Sequence, residues 1–248
     1  MNLESMERLD VIRRRLDVDG RVRVMELAGE LDVSEMTIRR DLDLLVDEGV
    51  AHRVRGGAIA IGPQQFAARA EQHSRAKGRI ADKLLALVGE GGAIGIDASS
   101  TLQRLSTRLA PARNLTVLTN GLDTFRALQG HAGVTALLTG GALDESTDSL
   151  VGPLATRAAN DVMLRRLFVS ASALDPQLGS SESTLPDAEV KLALANAAAE
   201  IVLAVDSSKL GHRAPARCFG LDRIDVLVTE LDPRDVRLDA YRDVVDVR

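Results

Sequence analysis

A run of small polar residues is the first place in this 248-residue sequence where binding chemistry is possible. Four such residues follow the apolar run 93–96 and precede a helical pattern: Asp97, Ser99, Ser100 and Thr101. Unpaired N–H groups at the start of a helix favour a bound anion, and a carboxylate accepts hydrogen bonds from ligand hydroxyl groups. An ordinary Ser/Thr helix cap explains the same residues without a ligand. The run alone leaves both interpretations open.

Polar turns that contain glycine follow two further apolar runs. Thr119-Asn120-Gly121 ends one run, and Thr139-Gly140-Gly141 ends the next. The carboxyl ends of parallel strands meet at one edge of a sheet, and such sheets bind ligands there. We therefore expect these turns to lie at the same edge as Asp97, which favours a ligand site over three unrelated caps.

Lysine is rare in this chain, so its positions are informative. Only four of the 31 basic residues are lysines: Lys77, Lys83, Lys191 and Lys209. Lys209 follows a predicted strand end, and Lys191 comes two residues after Glu189. A compact ammonium suits a phosphate or a sugar hydroxyl, and Asp97 or Glu189 could accept hydroxyl protons. Solvation at the surface is the ordinary alternative for each lysine, and it is our interpretation of Lys83.

The segment 33–42 is predicted to form a capped helix with an arginine pair. Ser34 has the position of an N-cap that accepts the N–H of Thr37. Arg39 and Arg40 project from the side opposite to the apolar face, which consists of Ile38, Leu42 and Leu45.

Two helical patterns and a tight turn precede this helix, and a glycine turn follows it. Arg55-Gly56-Gly57 interrupts a loosely alternating run over 50–61, which predicts a basic hairpin. This is the layout of a winged helix-turn-helix, whose later helix enters the major groove of DNA. The candidate DNA-binding residues are Ser34, Met36, Thr37, Arg39, Arg40, His52, Arg53, Arg55, Gly56 and Gly57. Solvated surface arginines are the alternative, but they leave the joint arrangement unexplained.

The chain divides near Gly62-Pro63-Gln64-Gln65, which interrupts every regular pattern. We predict a DNA-binding domain over 1–60, a linker over 61–72 and an α/β domain over 73–248. In the α/β domain, apolar runs alternate with helical patterns, which indicates an open, mainly parallel sheet. The predicted strands are 93–97, 115–119, 134–139, 167–171, 201–206, 226–229 and 244–247, and the predicted helices are 75–88, 101–109, 122–128, 150–164, 187–199 and 233–241.

Composition excludes several classes of protein. Cys218 is the only cysteine and the four histidines lie far apart, so we expect no disulfide, no metal site and no cofactor. No long apolar stretch predicts a membrane span, and the charged start is unlike a secretory signal, so we expect a cytoplasmic protein.

The charge balance argues at first against a DNA-binding protein. The formal charge is −5 and the pI is about 5.5. However, the segment 50–57 contains His52, Arg53 and Arg55 and no acid, and it follows the helix that carries Arg39 and Arg40. A local basic face binds DNA specifically even when the net charge gives little general affinity. We therefore predict weak non-specific binding and a strong dependence on the correct operator.

The N-terminal motifs resemble those of the DeoR family of bacterial transcriptional regulators. The similar residues are Val33-Ser34-x-x-Thr37-Ile38-Arg39-Arg40-Asp41-Leu42, followed by Arg53-Val54-Arg55-Gly56-Gly57-Ala58. The acid Asp41 fits the same pattern, and we expect it to pair with Arg40 or with a wing arginine.

The larger domain resembles the sensor domain of the same family. Its motifs occur in the family's order: Arg75-Ala76-Lys77, residues 97–101, Thr119-Asn120, Gly140-Gly141, Glu189-Val190-Lys191 and Asp206-Ser207-Ser208-Lys209. The resemblance implies a fold similar to ribose-5-phosphate isomerase and the CoA-transferase group. It also implies a repressor of a carbohydrate-utilisation operon that a phosphorylated sugar releases from its operator. The implied effector contacts are Lys77, Asp97, Ser99, Ser100, Thr101, Asn120, Gly140, Gly141, Lys191 and Lys209.

Two residues depart from the family pattern. Ser99 stands where the family usually has glycine, and Gly121 stands where it often has serine or another residue. Because a lost glycine limits how closely the backbone approaches a phosphate, we expect a wider loop or a different ligand.

Two functions are open at this point. The first is a ligand-gated DNA-binding regulator, which must be a homo-oligomer, a dimer or tetramer, because one helix-turn-helix contacts too few base pairs to select an operator. The second is a sugar-phosphate isomerase or acyl-CoA transferase with an accessory DNA-binding module, in which Asp97, Glu189 and Lys191 supply acid/base groups. We expect the regulator and no enzyme, because no dedicated nucleophile or poised histidine is apparent.

Overall fold

The structure is a computed structural model that describes residues 3–47, 50–60, 70–145 and 147–248. It contains two compact units, residues 1–69 and 70–248. The predicted break at 62–65 and most of the predicted linker lie outside the described residues. No helix in the described ranges is long and apolar enough to span a membrane.

The first unit packs three helices against a small antiparallel sheet. Its elements are α1 (Leu3–Asp19), β1 (Arg21–Arg23), α2 (Val24–Glu30), α3 (Glu35–Asp47), β2 (Ala51–Val54) and β3 (Gly57–Ala60), with the strands in the order β1-β3-β2. The predicted apolar stripes converge on one core, in which Ile12, Leu16, Ile38, Leu42 and Leu45 are fully buried. The unit is a winged helix-turn-helix, as the sequence predicts.

Two details of this unit go beyond the sequence prediction, and one residue of interest lies outside the described ranges. α1 continues through Asp19, and Gly20 then ends it with φ +70° and an N–H donated to the Leu16 carbonyl at 2.9 Å. The pattern does not predict β1, because three residues are too few to show alternation. Gly49, which has the sequence position of a glycine that ends this helix, lies outside the described residues.

The second unit is built on a seven-stranded parallel sheet with the order β15-β14-β12-β9-β4-β5-β6. Its elements are α4 (Ser74–Val88), β4 (Gly92–Ile96), α5 (Ser100–Ser106), β5 (Leu115–Thr119), α6 (Leu122–Leu128), β6 (Val134–Leu138), β7 (Ala142–Asp144), β8 (Ser149–Val151), α7 (Pro153–Asn160), β9 (Arg166–Val169), β10 (Ala173–Asp175), β11 (Gly179–Glu182), α8 (Leu185–Asn196), β12 (Ile201–Ala204), β13 (Ala216–Arg217), β14 (Val226–Val228), α9 (Asp239–Arg242) and β15 (Asp246–Val247). β7 and β8 form a hairpin, and β10-β11-β13 form a small antiparallel sheet.

Alternate residues of the central strands face two separate cores. Ile94 and Ile96 of β4 pack with α4 and α5. Leu167 and Val169 of β9 pack with α7 and α8 on the other face. Because these strands are buried on both faces, they appear in the sequence as continuous apolar runs. By the same alternation, Asp97, which follows Ile96, points toward the face of α7 and α8.

The seven predicted strands of the large sheet are present, and their ends differ from the prediction by at most two residues. The helix predicted over 150–164 is wrong at its start, because Leu150 and Val151 belong to β8. Gly152, with φ +88°, separates this strand from Pro153, which begins α7 as a first-turn proline. In place of the predicted helix over 233–241, the structure has a 3-10 turn (Val236–Leu238) followed by the short α9.

Candidate DNA interface and ligand site

Helix α3 begins at a serine cap, as the sequence predicts. The Ser34 hydroxyl accepts the Thr37 N–H at 3.2 Å and lies 3.0 Å from the Thr37 hydroxyl. Ser34 is exposed, and Met36 is 58% exposed. These residues occupy the first turn, which is the part of such a helix that contacts base edges and phosphates.

Two arginines of α3 project into solvent, and an acid holds one of them. The Arg39 guanidinium donates to Glu35 Oε2 at 2.6 Å, one helical turn away. Arg40 is exposed and forms no ion pair with another described residue. Arg39 therefore has a carboxylate partner and Arg40 has none among the described residues, a difference that the Arg-Arg pattern in the sequence does not reveal.

Asp41 pairs with neither Arg40 nor a wing arginine, so that prediction is wrong. It is buried, and Arg8 of α1 donates to it twice, from Nε to Oδ2 at 2.5 Å and from Nη2 to Oδ1 at 3.1 Å. Asp41 precedes Leu42 on the inner side of α3, whereas Arg40 points outward. The acid of the signature therefore fixes α3 to α1.

The hairpin of β2 and β3 forms the wing. Gly56 takes φ +81° in the turn, beside the exposed Arg55. Arg53 Nε lies 3.3 Å from Asp43 Oδ1 of α3, so Asp43 supplies the ion pair between the helix and the wing. His52 lies on β2. The predicted basic residues are thus carried by one short hairpin.

Gly57 has a different role from Gly56. It is buried, and a Cβ at this position would lie 1.9 Å from the Val22 carbonyl oxygen of β1. Glycine is needed because two strands approach closely, and not because the turn requires a positive φ. The close approach of β1 explains why position 57 is a glycine, and the DNA contact of Gly57 stays a prediction.

In the second unit, the order of the strands reverses at β4. The chain continues to β5 and β6 on one side of β4 and later adds β9, β12 and β14 on the other. Parallel sheets bind ligands beyond the carboxyl ends of the strands at such a reversal. Here the Ser170 N–H, which follows β9, donates to Asp97 Oδ2 at 2.9 Å. The predicted residue Asp97, which follows β4, therefore connects the ends of β4 and β9 at the reversal of strand order.

Lys191 of α8 is at the centre of a buried group of charges at this point. Its Nζ lies 2.9 Å from Glu182 Oε1, 3.2 Å from Asp97 Oδ2 and 3.5 Å from Asp187 Oδ2. None of the four side chains is more than 10% exposed. We call Asp97, Glu182, Asp187 and Lys191 the carboxylate cluster.

The carboxylate cluster has three acids for one base, which affects their protonation. Burial raises the pKa of Glu182 to about 7, although Lys191 opposes the shift. Burial also raises the pKa of Asp97, against the effect of Lys191. Burial lowers the pKa of Lys191, but the three carboxylates outweigh that effect and raise it well above its ordinary value. We conclude that Lys191 stays charged and that Glu182 exchanges its proton near neutral pH.

Glu182 and Asp187 are not among the predicted residues, and the predicted Glu189 lies outside the carboxylate cluster. Glu189 is exposed, because two residues along a helix lead to the opposite side from Lys191. Asp187 lies four residues before Lys191. This spacing places two residues on one face of a helix, so the sequence could have predicted the pair. Glu182 lies in a serine-rich segment with no apolar alternation, which hides strand β11.

Asn120 follows β5 and is the neighbour of Asp97 in the strand register. Ile96 pairs with Thr119, so the two following residues leave adjacent strands toward the same face. Asn120 is fully buried, and its Nδ2 donates to the Leu150 carbonyl at 3.3 Å. Asn120 Oδ1 and Asp97 Oδ1 are buried and accept no hydrogen bond of normal geometry from the described residues, although the Ser99 hydroxyl lies close enough to Asp97 to oppose the rise of its pKa. Two such acceptors favour a ligand that donates hydroxyl groups.

The two departures from the family pattern have structural explanations. Ser99 has an extended backbone with φ −118°, and its hydroxyl caps α5 by accepting the Leu102 N–H at 3.2 Å. Gly121 packs so closely that a Cβ would lie 2.8 Å from Ala98 Cα. This close packing of the loop after β4 argues against the wider loop that we expected.

The other predicted effector contacts lie in turns or at the start of helices. Their positions are the first turn of α5 (Ser100, Thr101), the first turn of α4 (Lys77), the turn after β12 (Lys209) and the turn after β6 (Gly140, Gly141). Of the predicted set, Asp97 and Lys191 form an ion pair. Lys83, interpreted as a solvated residue, is half-buried and donates to the Leu231 carbonyl at 2.8 Å.

Comparison with known proteins gives the family of both units. Residues 8–64 match the DeoR-like helix-turn-helix domain, and residues 72–231 match the DeoR C terminal sensor domain. The L-fucose operon activator of Haemophilus influenzae is 31% identical over 230 residues, which are 89% of this chain and 90% of that protein. The lactose phosphotransferase system repressor of Lactococcus lactis is 30% identical over 235 residues, 92% of each chain.

A solved structure of D-ribose-5-phosphate isomerase in complex with phospho-erythronic acid is similar at a TM-score of 0.42 and 12% identity, over 55% of this chain and 53% of that one. The two family matches together span most of the sequence, in the order that the N-terminal and sensor motifs predict. The chain therefore belongs to the DeoR family and is a DNA-binding transcriptional regulator with an N-terminal winged helix-turn-helix and an α/β sensor domain.

Proposed function

We propose that this regulator represses a carbohydrate-utilisation operon and that a phosphorylated sugar releases it from the operator. The carboxylate cluster carries this proposal, because it lies at the reversal of strand order in the sensor domain. Buried polar atoms without partners are costly, and a ligand that completes their hydrogen bonds repays part of that cost. Within the described ranges, Asp97 Oδ1 and Asn120 Oδ1 are two such atoms.

The distribution of charge favours a ligand with two chemically different ends. The carboxylate cluster has more acids than bases, so it repels a phosphate and accepts sugar hydroxyls. Ser100 and Thr101 in the first turn of α5, together with Lys77, are better suited to the phosphate. A sugar phosphate satisfies both requirements.

Thermal unfolding with a panel of phosphorylated sugars tests the sensor. The matching sugar phosphate should raise the Tm saturably and weaken binding to operator DNA, whereas the free sugar and inorganic phosphate should do neither at the same concentration. Asp97→Asn should lose most of the Tm shift, and the exposed Glu90→Gln should keep it. A panel without any saturable shift would overturn the effector assignment.

A separate variant tests the DNA-binding half. Arg39→Ala combined with Arg40→Ala should abolish operator binding but leave the ligand-dependent Tm shift unchanged. Undiminished operator binding at moderate salt would contradict the assignment of α3.

Catalysis is the second candidate function, because the pKa of Glu182 near 7 suits proton transfer. We favour sensing, since the relatives are named as regulators. Incubation with the sugar phosphate that stabilises the protein separates the two, because turnover to an isomer indicates an enzyme.

The active form that we propose is a cytoplasmic homo-dimer or tetramer, since one winged helix contacts too few base pairs to select an operator. Light scattering coupled to gel filtration measures the oligomeric state directly.

Deletion of the gene should raise expression of the regulated operon, and lowered expression would indicate an activator.

A further inference from the structure

Glu35 and Arg39 form an ion pair on the outer surface of α3, where an acid is unexpected in a DNA-binding helix. The distance from Arg39 Nη2 to Glu35 Oε2 is 2.6 Å, and the side chains are 48% and 46% exposed. Glu35 is the first residue of α3, directly after the Ser34 cap. The pair therefore stands where α3 meets base edges if the proposed DNA contact is correct.

The chemistry of the pair matches one kind of base pair. An arginine fork donates to O6 and N7 of guanine, and a carboxylate accepts from N4 of cytosine. The other amino group in the major groove is N6 of adenine, which lies beside the N7 acceptor; the remaining polar base atoms and the phosphate oxygens are acceptors and repel a carboxylate. Glu35 is therefore favourable on DNA only when a base amino group lies within its reach. Cytosine N4 is the amino group that matches this pair, because cytosine pairs with the guanine that an arginine contacts.

We propose that Glu35 is a specificity-determining residue, which accepts a hydrogen bond from a cytosine amino group and orients Arg39 toward a guanine at the same or the adjacent base pair. This inference rests on the proposed role of α3 in operator recognition. It gives the exposed acid a direct part in selecting the operator sequence and agrees with the weak non-specific binding that the charge balance predicts.

A purely structural role for Glu35 makes a different prediction. An acid in the first turn favours the helix dipole, and an i,i+4 ion pair adds a small stabilisation. If Glu35 does nothing more, its removal changes the stability of the unit and lowers or raises affinity for all sequences alike. Base preference is thus the measurement that separates the two roles.

Glu30 provides a matched control in the same unit. Its Oε2 accepts from Arg15 Nη2 at 2.7 Å, and the two side chains are 50% and 47% exposed. Glu30→Gln changes the net charge by the same amount as Glu35→Gln, but it lies on α2 and outside α3.

The experiment is a binding-site selection from a random duplex library with the full chain, followed by affinity measurements on the selected site and its single-base variants. We expect the wild type to discriminate one G·C pair by about tenfold or more. Glu35→Gln and Arg39→Lys should both lose most of this discrimination, at the same or at adjacent positions, while Glu30→Gln should retain it.

Two outcomes overturn the inference and can be told apart. If the wild type selects a site and Glu35→Gln selects the same site with unchanged base preferences, Glu35 is not a specificity determinant, but operator recognition stands. If the wild type enriches no sequence, operator recognition by α3 fails as well. Circular dichroism of each variant checks that the helices are intact.

Discussion

Arg8 and Asp41 form a bidentate ion pair, with two hydrogen bonds, that joins α1 to the inner side of α3. The side chain of Asp41 is 5% exposed and that of Arg8 is 17% exposed. A buried carboxylate that loses its partner is costly, because it has neither water nor a cation. The orientation of α3 in this unit therefore depends on a residue outside the helix-turn-helix motif.

Arg8→Ala should lower the free energy of unfolding of the first unit by about 2–3 kcal/mol, since it leaves Asp41 without its donor groups. Urea titration followed by circular dichroism measures the loss. Arg13→Ala is the control, because Arg13 pairs with Asp10 at 3.3 Å on the exposed side of α1. That variant should change stability by less than about 0.5 kcal/mol. Equal losses for the two variants would contradict a specific role for the buried pair.

Gly57→Ala should destabilise the wing, because its Cβ would overlap the Val22 carbonyl oxygen unless β1 moves away from β3. We expect a lower Tm and a weaker affinity for operator DNA. Gly29→Ala is the matched change in α2, where a Cβ meets nothing within 4 Å. It should raise stability slightly, by up to about 1 kcal/mol, because alanine favours a helix. A Gly57→Ala protein as stable as the wild type would show that the two strands are not held so closely.

Glu182 should make stability depend on pH. Its pKa is raised by burial from 4.5 to about 7, so the folded state binds a proton more tightly than the unfolded chain. The stabilising contribution is complete below about pH 4.5, decreases as the pH rises, and is lost above about pH 7. Glu182→Gln should therefore flatten the decrease in Tm between pH 5 and pH 7. Identical pH profiles for the variant and the wild type would refute this titration.

Lys191→Met should destabilise the sensor domain more at high pH than at low pH. The variant leaves Asp97, Glu182 and Asp187 without a cation. Burial raises the pKa of Asp97 and of Glu182, so protonation of these two carboxyls at low pH relieves the repulsion. Chemical unfolding at pH 5 and pH 8 measures the difference. Adding Asp97→Asn to Lys191→Met should recover part of the loss at pH 8. A loss of the same size at both pH values would mean that packing, and not charge, is what Lys191 supplies.

Local patterns were sufficient to predict most of the secondary structure. The continuous apolar runs located every strand of the large sheet, because a strand buried on both faces needs apolar residues at consecutive positions. Ser34 was predictable as a cap, since its hydroxyl interacts with an N–H only three residues away. Strands β7, β8, β10, β11 and β13 were not predictable, because they are short and their stability comes from pairing across the chain.

The partners of charged residues were harder to predict than the elements that carry them. The sequence indicates Asp41 and Asp97 as important acids, but their cations Arg8 and Lys191 are distant in the chain. The assignment of Glu189 to the candidate site failed for a related reason, since proximity in sequence does not place two residues on one face of a helix.

Local sequence patterns are enough to predict two domains, the capped DNA-binding helix, the basic wing and the sheet edge at which the candidate site lies. These follow from interactions within a few residues and from the burial pattern of each element. Three features require the folded chain: Glu182 and Asp187 surround Lys191, Arg8 pairs with Asp41, and Gly57 packs against β1. Such contacts depend on how separate elements pack, and side chains from distant positions meet only after the sheet and helices have assembled.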